Sequence, residues 1–491
     1  MRLPIVVLLT LLCFSITLSQ SKPIVEDRGN FGLFDVNDSI RRHKYLEDKN
    51  QLLLIGNQHL QLLDLSNFKV IDTRRINLPY SDLRSDYHEN DWTISPDGQR
   101  MALLGLNEGR IKTKSENKQN AFVIDLLTEK RIASLNHPDR IRAATWSTNG
   151  KTLMTMDAPH VDLFTRTLNV SFWDGETFEY RHSITVENVT WIYLSNDGER
   201  FFAASGKSKN LLGIKYVADS DSFVRIWKTR NGELEKTISV ADPKFHFKTR
   251  QIEISPDEQF LLMVKKHKSV SSEDRLLVWE INGGINPKYE LRPQPEIDDA
   301  RVEISPDGKY FAVDVGKNLQ IYETETGKLK VELTNIDLPS WGWLDNQILA
   351  NVDFKPRNLI RAGKVLKAFD ATDGHPLYTQ RLAYDVLETY DFSYTNDPSP
   401  PIILDDTTLR PHPSRRIFLT SSNQFAKIFD SRTGELLQTV VEPPVRVDLM
   451  GKPKTTNRNM VSSADWSRDG KALYVFSANH RSVSLWQLVE N

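Results

Sequence analysis

Between Arg301 and Leu333 the chain reads RVEISPDGKYFAVDVGKNLQIYETETGKLKVEL, and its apolar positions fall into four short runs separated by turn residues. The first run, 302–304, stops at Ser305-Pro306-Asp307-Gly308, where proline presets φ near about −65° and glycine closes a type I turn. Residues 311–315 are apolar apart from Asp314, enough to predict a strand buried on both faces. Gly316-Lys317-Asn318 then reverses the chain into a third strand ending at Tyr322. After the hairpin loop Glu323-Thr324-Glu325-Thr326-Gly327, Leu329, Val331 and Leu333 alternate with charged residues, the pattern of a half-exposed strand.

This unit recurs, and a long fixed period is the mark of a repeat architecture. Ser95-Pro96-Asp97-Gly98, Ser147-Thr148-Asn149-Gly150, Ser195-Asn196-Asp197-Gly198, Ser255-Pro256-Asp257-Glu258 and Ser467-Arg468-Asp469-Gly470 occupy the place of Ser305 to Gly308, giving six turns. Third strands supply a separate count through their terminal pairs: Leu63-Asp64, Ile124-Asp125, Trp173-Asp174, Ile226-Trp227, Val278-Trp279, Ile321-Tyr322, Phe369-Asp370, Phe429-Asp430 and Leu485-Trp486. That makes nine units at a spacing of roughly fifty residues. The three units without a clear turn lie near Lys49, Leu344 and Arg410.

The order of strand, SPDG turn, strand, aromatic-ended strand, TG turn and strand resembles the WD-repeat β-propellers, in particular their secreted bacterial members. Over residues 30–491 the resemblance implies an all-β fold, a single β-propeller of nine four-stranded blades, or of eight if the stretch around 384–409 supplies none. Two departures from the family pattern stand out: only Trp173 is followed by Asp, and the one Gly-His pair, Gly374-His375, sits in a different turn. The aromatics Trp173, Trp227, Trp279, Tyr322, Phe369, Phe429 and Trp486 recur at the repeat period, which predicts packing between blades and not a ligand-binding set. The last unit runs out after three strands, so an edge would be left bare. The apolar stretch 31–36, beginning at Phe31, is the expected fourth strand.

Residues 1–20 carry Arg2, then an apolar run from Leu3 to Leu12, then small and polar residues, the layout of a signal peptide. Export to a bacterial periplasm or the extracellular space is expected, or membrane anchoring if the segment stays uncleaved. Cys13 is the one cysteine, so the chain left after cleavage has none for a disulfide. Formal charge is −2, from 63 basic and 65 acidic side chains. Neither nucleic acid nor an anionic membrane is implied, because both need a clustered basic field.

Individuality lies in the connections between second and third strands, at 105–120, 157–168, 206–222 and 265–274. Such connections emerge on one face of a propeller, and loops on a rigid scaffold commonly carry function. Arg110, Lys112, Lys266 and Lys268 are the contact residues expected there. The connections 384–409, with its aromatics and prolines, and 441–459 are also long.

No catalytic constellation is present in the sequence. The eleven histidines show no metal-ligand spacing, and there is no phosphate-cradling loop, nucleophile elbow or zinc helix. No catalytic, cofactor-binding or metal-ligating residue is assigned, and no cofactor is expected. The WD-repeat resemblance implies a non-enzymatic scaffold, a monomer holding a protein or peptide partner on one face. The alternative is a secreted propeller enzyme, lactonase-like or dehydrogenase-like, with carboxylates brought together at the central channel by folding.

Overall fold

In the computed structural model, described residues fall within 23–489. Residues 1–22, 33–41, 76–91, 104–120, 158–166, 382–407, 456–460 and 490–491, with shorter stretches in other connections, lie outside them. Nine antiparallel sheets of four strands stand in a ring, a nine-bladed β-propeller. Blades 1 to 8 span 42–75, 92–135, 141–186, 189–239, 245–291, 297–333, 341–381 and 408–441. In each the strands follow in chain order from the ring's inside outward. Blade 5 has its first strand in two pieces, Phe245–His246 and Ile252–Ile254, both paired with Phe260–His267. Blade 8 takes Thr408–Pro411 as its first strand, so the count is nine and not eight.

Nine apolar clusters hold the ring, one at each junction. Leu53 and Ile55 of blade 1 meet Ile94 and Met101 of blade 2, and the series runs on to Leu52 and Leu54, which meet Tyr474 and Phe476 of blade 9. The second strands explain why their sequence is continuously apolar. Neighbouring residues on a strand point to opposite faces: Phe201 packs toward blade 3 and Phe202 toward blade 5, and Leu261 and Leu262 face blades 4 and 6 in the same way. The seven third-strand aromatics all face the preceding blade, each in a different cluster. Five are buried, and Phe369 and Trp486 are half-buried. They are core, as their period predicts.

The repeated turn is built on a buried serine. Ser305 Oγ donates to Asp307 Oδ1 at 2.8 Å and accepts from the Tyr310 N–H at 3.0 Å, so one hydroxyl ties both ends of the reversal. The same bonds recur at Ser95, Ser147, Ser195, Ser255 and Ser467, with Asn149 in the aspartate's role at Ser147. The fourth position needs positive φ, supplied by glycine in five cases. Glu258 holds φ 56° there, and its carboxylate accepts from Tyr193 Oη and the Asn196 N–H at 2.7 Å each. Those bonds to blade 4 offset a backbone cost of about 1–2 kcal/mol.

Where the sequence shows no such turn, other groups stand in, and they cap the reversals of blades 7 and 8. In blade 1 Tyr45 Oη donates to Asn50 Oδ1, and in blade 7 Asp345 Oδ1 accepts from the Gln347 and Ile348 N–H groups at 2.7 Å. In blade 8 His412 stands in the serine's place. Its Nδ1 accepts from the Ser414 and Arg415 N–H groups at 3.1 and 2.9 Å, which leaves Nε2 protonated to donate to Gly470 O at 2.8 Å.

Blade 9 combines Val461–Trp466, Ala472–Ser477 and Ser482–Leu488 with the N-terminal strand Val25–Gly32, which closes the ring. Closure by the chain's two ends is as expected. The strand itself differs: it is Val25–Gly32, not 31–36, and the residues beyond Gly32 lie outside the described residues. Val25 opposes Leu488 and Phe31 opposes Val483, so the apolar ends pack while the polar middle forms an outer edge. That polar middle hid the strand from a search for apolar runs. Gln438 of blade 8 fixes it by bonding to Val25 N and O at 2.8 and 2.9 Å.

Deleting residues 23–32 should lower the melting temperature markedly in a thermal scan, since it bares the Ser482–Leu488 edge. Trp279→Ala removes the largest fully buried side chain and should cost about 3–5 kcal/mol in denaturant unfolding.

Burial holds the His412 imidazole below its ordinary pKa, with Arg415 adding to the effect, and burial with Arg181 does the same for His182. A depressed folded pKa means the unfolded chain binds more protons, so this stability is full above about pH 6.5 and is lost as pH falls toward the folded value. Unfolding at pH 7.5 and 5.5 should show the loss, and His412→Ser, which restores the repeat's own cap, should flatten part of that slope.

Candidate functional site

The hairpin order gives the ring two unlike faces. One carries the first-to-second and third-to-fourth strand turns, and its polar groups are tied blade to blade. Arg100 Nη1 donates to Gly175 O at 3.0 Å, Asn149 Nδ2 to Asp197 O at 2.7 Å, and Lys236 Nζ to Ile281 O and Gly283 O at 2.6 Å each. Lys288 pairs with Glu325 of the next blade at 2.5 Å, and burial with the nearby Glu325 charge pushes the Tyr289 hydroxyl well above its usual range. These groups hold the ring together and are spent on it.

The opposite face carries the second-to-third connections, where the long loops were expected. All four connections do join those strands. Residues 206–222 are a correction: most of that stretch is strand, because Arg200–Leu211 and Ile214–Lys228 continue as a paired ribbon past the end of the fourth strand. Blade 7 has a second ribbon, Ile348–Asn358 with Arg361–Asp370, that the sequence pattern does not predict. Its paired strands contain Pro356 and Gly363, residues that ordinarily argue against strand.

In blade 5 the connection is braced. Asp274 is fully buried, its Oδ1 accepts the His267 N–H at 2.7 Å, and Lys266 Nζ lies 3.7 Å from Oδ2. Lys266 is thus folded back on its own loop instead of standing free on the rim. Arg110, Lys112 and Lys268 lie outside the described residues.

A second constellation lines the channel. The residue two places before the position that Ser305 occupies, which is Leu46 in blade 1, Leu344 in blade 7 and His412 in blade 8, lies on its blade's first strand, and all nine are at least partly accessible. Five are charged and come from five blades: Lys44, Glu253, Glu303, Arg410 and Asp465. The others are Thr93, Thr145, Tyr193 and Gly342. A Cβ on Gly342 would lie 3.5 Å from Glu303 Oε2, which places those two blades' residues side by side. Arg410 Nε approaches Asp465 Oδ2 at 3.5 Å. Burial pushes the Asp465 carboxyl up against the pull of Arg410, and burial pushes the Lys44 amine down. Among the described residues, Arg410 and Asp465 are the one oppositely charged pair of this layer in contact.

Asp370, Asp373 and His375 place ligand atoms within 4.8 Å of one another. They form the third-to-fourth strand turn of blade 7, where Asp373 Oδ1 accepts the His375 N–H at 3.0 Å just as Thr433 Oγ1 accepts the Glu435 N–H in blade 8. The trio is a variant of the repeated turn. No helix among the described residues is long and apolar enough to cross a membrane.

The chain matches no protein-family profile and no curated relative. Among solved structures it is similar to a eukaryotic initiation factor, at 11% identity and TM-score 0.39 over 72% of this chain and 90% of that one. It is also similar to KlHsv2 with loop 6CD replaced by a Gly-Ser linker, at 12% identity and TM-score 0.37 over 70% of this chain and 98% of that one. Both are too distant to transfer any property.

Proposed function

We propose that this propeller is an exported, non-enzymatic binding scaffold of the divergent WD-repeat kind, a monomer that holds a protein or peptide partner on the face of the second-to-third strand connections. The observation that carries the reading is the inequality of the faces. Polar groups on the turn face are bonded from blade to blade, while the other face raises two ribbons and several long connections that the ring itself does not need. Near-neutral charge makes the contact chemistry local, so association should gain little from long-range steering.

The competing reading, an enzyme at the channel, draws on the charged inner layer. Acid-base chemistry needs groups within hydrogen-bonding reach of one substrate position. Asp465 is one such group, and Arg410 of the neighbouring blade sets a permanent positive charge 3.5 Å from its carboxylate. A lactone or ester turned over by the protein, with the rate lost in Asp465→Asn, would favour the enzyme.

Affinity capture from envelope extract tests the scaffold directly. Shortening the connections 105–120 and 268–272 should remove the captured partner while the thermal transition stays where it was. Undiminished capture by the shortened protein would refute this assignment of the face.

A further inference from the structure

Three polar side chains at the junction of blades 8 and 9 hold donors and acceptors that the ring itself leaves unused. Arg410 and Asp465 stand on adjacent first strands, the innermost of their blades, and their side chains keep 50% and 44% exposure. What is exposed on an innermost strand opens onto the channel. Tyr474 lies directly opposite Asp465 on the ladder of blade 9, so the two side chains share one face. Burial lifts the Tyr474 hydroxyl well above its usual range, with Asp465 adding to the rise and Arg410 opposing it, which places the hydroxyl in the field of both.

Arg410 Nε comes no nearer than 3.5 Å to Asp465 Oδ2, and among the described residues none of the guanidinium's five N–H groups is hydrogen-bonded. The Tyr474 hydroxyl likewise has no partner among them. Asp465 Oδ1 accepts the Trp466 N–H at 2.9 Å, and Oδ2 accepts no bond. On the turn face, by contrast, Arg100, Lys236 and Lys288 are all bonded to a neighbouring blade. One blade farther on, Lys44 of blade 1 adds a second cation to the channel wall, so the arc of Arg410, Asp465 and Lys44 carries two positive charges against one negative.

A ligand that matches must bring an anion to the guanidinium fork and, close beside it, a donor to the carboxylate. An α-amido carboxylate carries both on one carbon. Its carboxylate suits the bidentate fork of arginine, and its N–H suits the open oxygen of Asp465. The single positive charge left over on the arc fits a monoanion, whereas a phosphate dianion would set its second charge against Asp465.

We infer that the channel wall at the junction of blades 8 and 9 binds an α-amido carboxylate, the group found at the C-terminal residue of a peptide and in an N-acyl amino acid. Arg410 holds the carboxylate, Asp465 accepts the neighbouring N–H, and the Tyr474 hydroxyl donates to a carboxylate oxygen. The site lies in the channel and takes no residue from the second-to-third strand connections, so it goes beyond the proposed binding face.

The test is fluorescence anisotropy of an N-terminally labelled tetrapeptide, Gly-Ser-Ala-Leu with a free C-terminus, against the full chain. The peptide should bind saturably, and its C-terminal amide should bind roughly tenfold or more weakly. Arg410→Met should lose the same amount and erase the difference between acid and amide, while the thermal transition stays in place because the guanidinium bonds to nothing in the ring. Tyr474→Phe removes only the hydroxyl and should weaken binding several-fold, which keeps the test decisive if the first variant misfolds. Methylating the last peptide nitrogen should weaken binding as well.

Competition separates the two sources of the group. Displacement of the label by N-acetyl-leucine as readily as by unlabelled peptide assigns the site to the group alone, and displacement by peptide only assigns it to a chain end. The proposal is overturned if neither binds, if acid and amide bind alike, or if both variants bind normally. Displacement by acetate or inorganic phosphate as effective as that by N-acetyl-leucine overturns it too. Since the 105–120 and 268–272 connections stay intact throughout, failure here would remove the channel ligand and leave the binding face to be judged on partner capture.

Discussion

Every sheet in this molecule is apolar on both sides, and that constraint governs the rest of the architecture. A blade cannot bury two faces alone, so it needs a neighbour on each side, and the series ends only when the last blade meets the first. The nine clusters, from the blade 1–2 junction round to blades 9 and 1, are that requirement in residues. It also explains why the chain termini share a sheet. Without Val25–Gly32 the final blade would expose the edge of Ser482–Leu488, and an open edge invites pairing with another chain.

Within that frame the turns show how much sequence change one physical demand tolerates. Each reversal between first and second strands leaves backbone N–H groups that need a buried acceptor. In eight of the nine blades a side chain supplies it: serine six times, Asp345 once and His412 once. The histidine is the costlier solution, because it caps only while neutral. Its protonation would place a charge in a buried site and remove the acceptor for two N–H groups, so the blade 8 turn carries a pH sensitivity that the serine-capped turns lack.

The division of labour between faces follows from the same economy. Groups on the turn face bridge adjacent blades and so resist being recruited for recognition. The second-to-third strand connections face no such demand and are free to lengthen, as blades 4 and 7 do. The channel is intermediate: its charged layer is placed by the repeat, one residue per blade, and its chemistry depends on which side chains happen to fall at that position.

Alternation, turn chemistry and recurrence were enough to determine nine four-stranded units, the buried role of the third-strand aromatics and the need for a strand from the other end of the chain. These are local or periodic properties, repeated nine times, so errors in single units do not accumulate. What the sequence left open depends on neighbours. Val25–Gly32 reads as a polar segment until Leu488 and Gln438 give it partners, and His412 reads as a surface histidine until its ring lies against the turn it caps. Pro356 and Gly363 argue against the ribbon that contains them. Glu253, Glu303, Arg410, Asp465 and Lys44 come from five units far apart in the chain. Only closure of the ring brings them to one level of one channel, because spacing within a blade carries no information about what faces it across the axis.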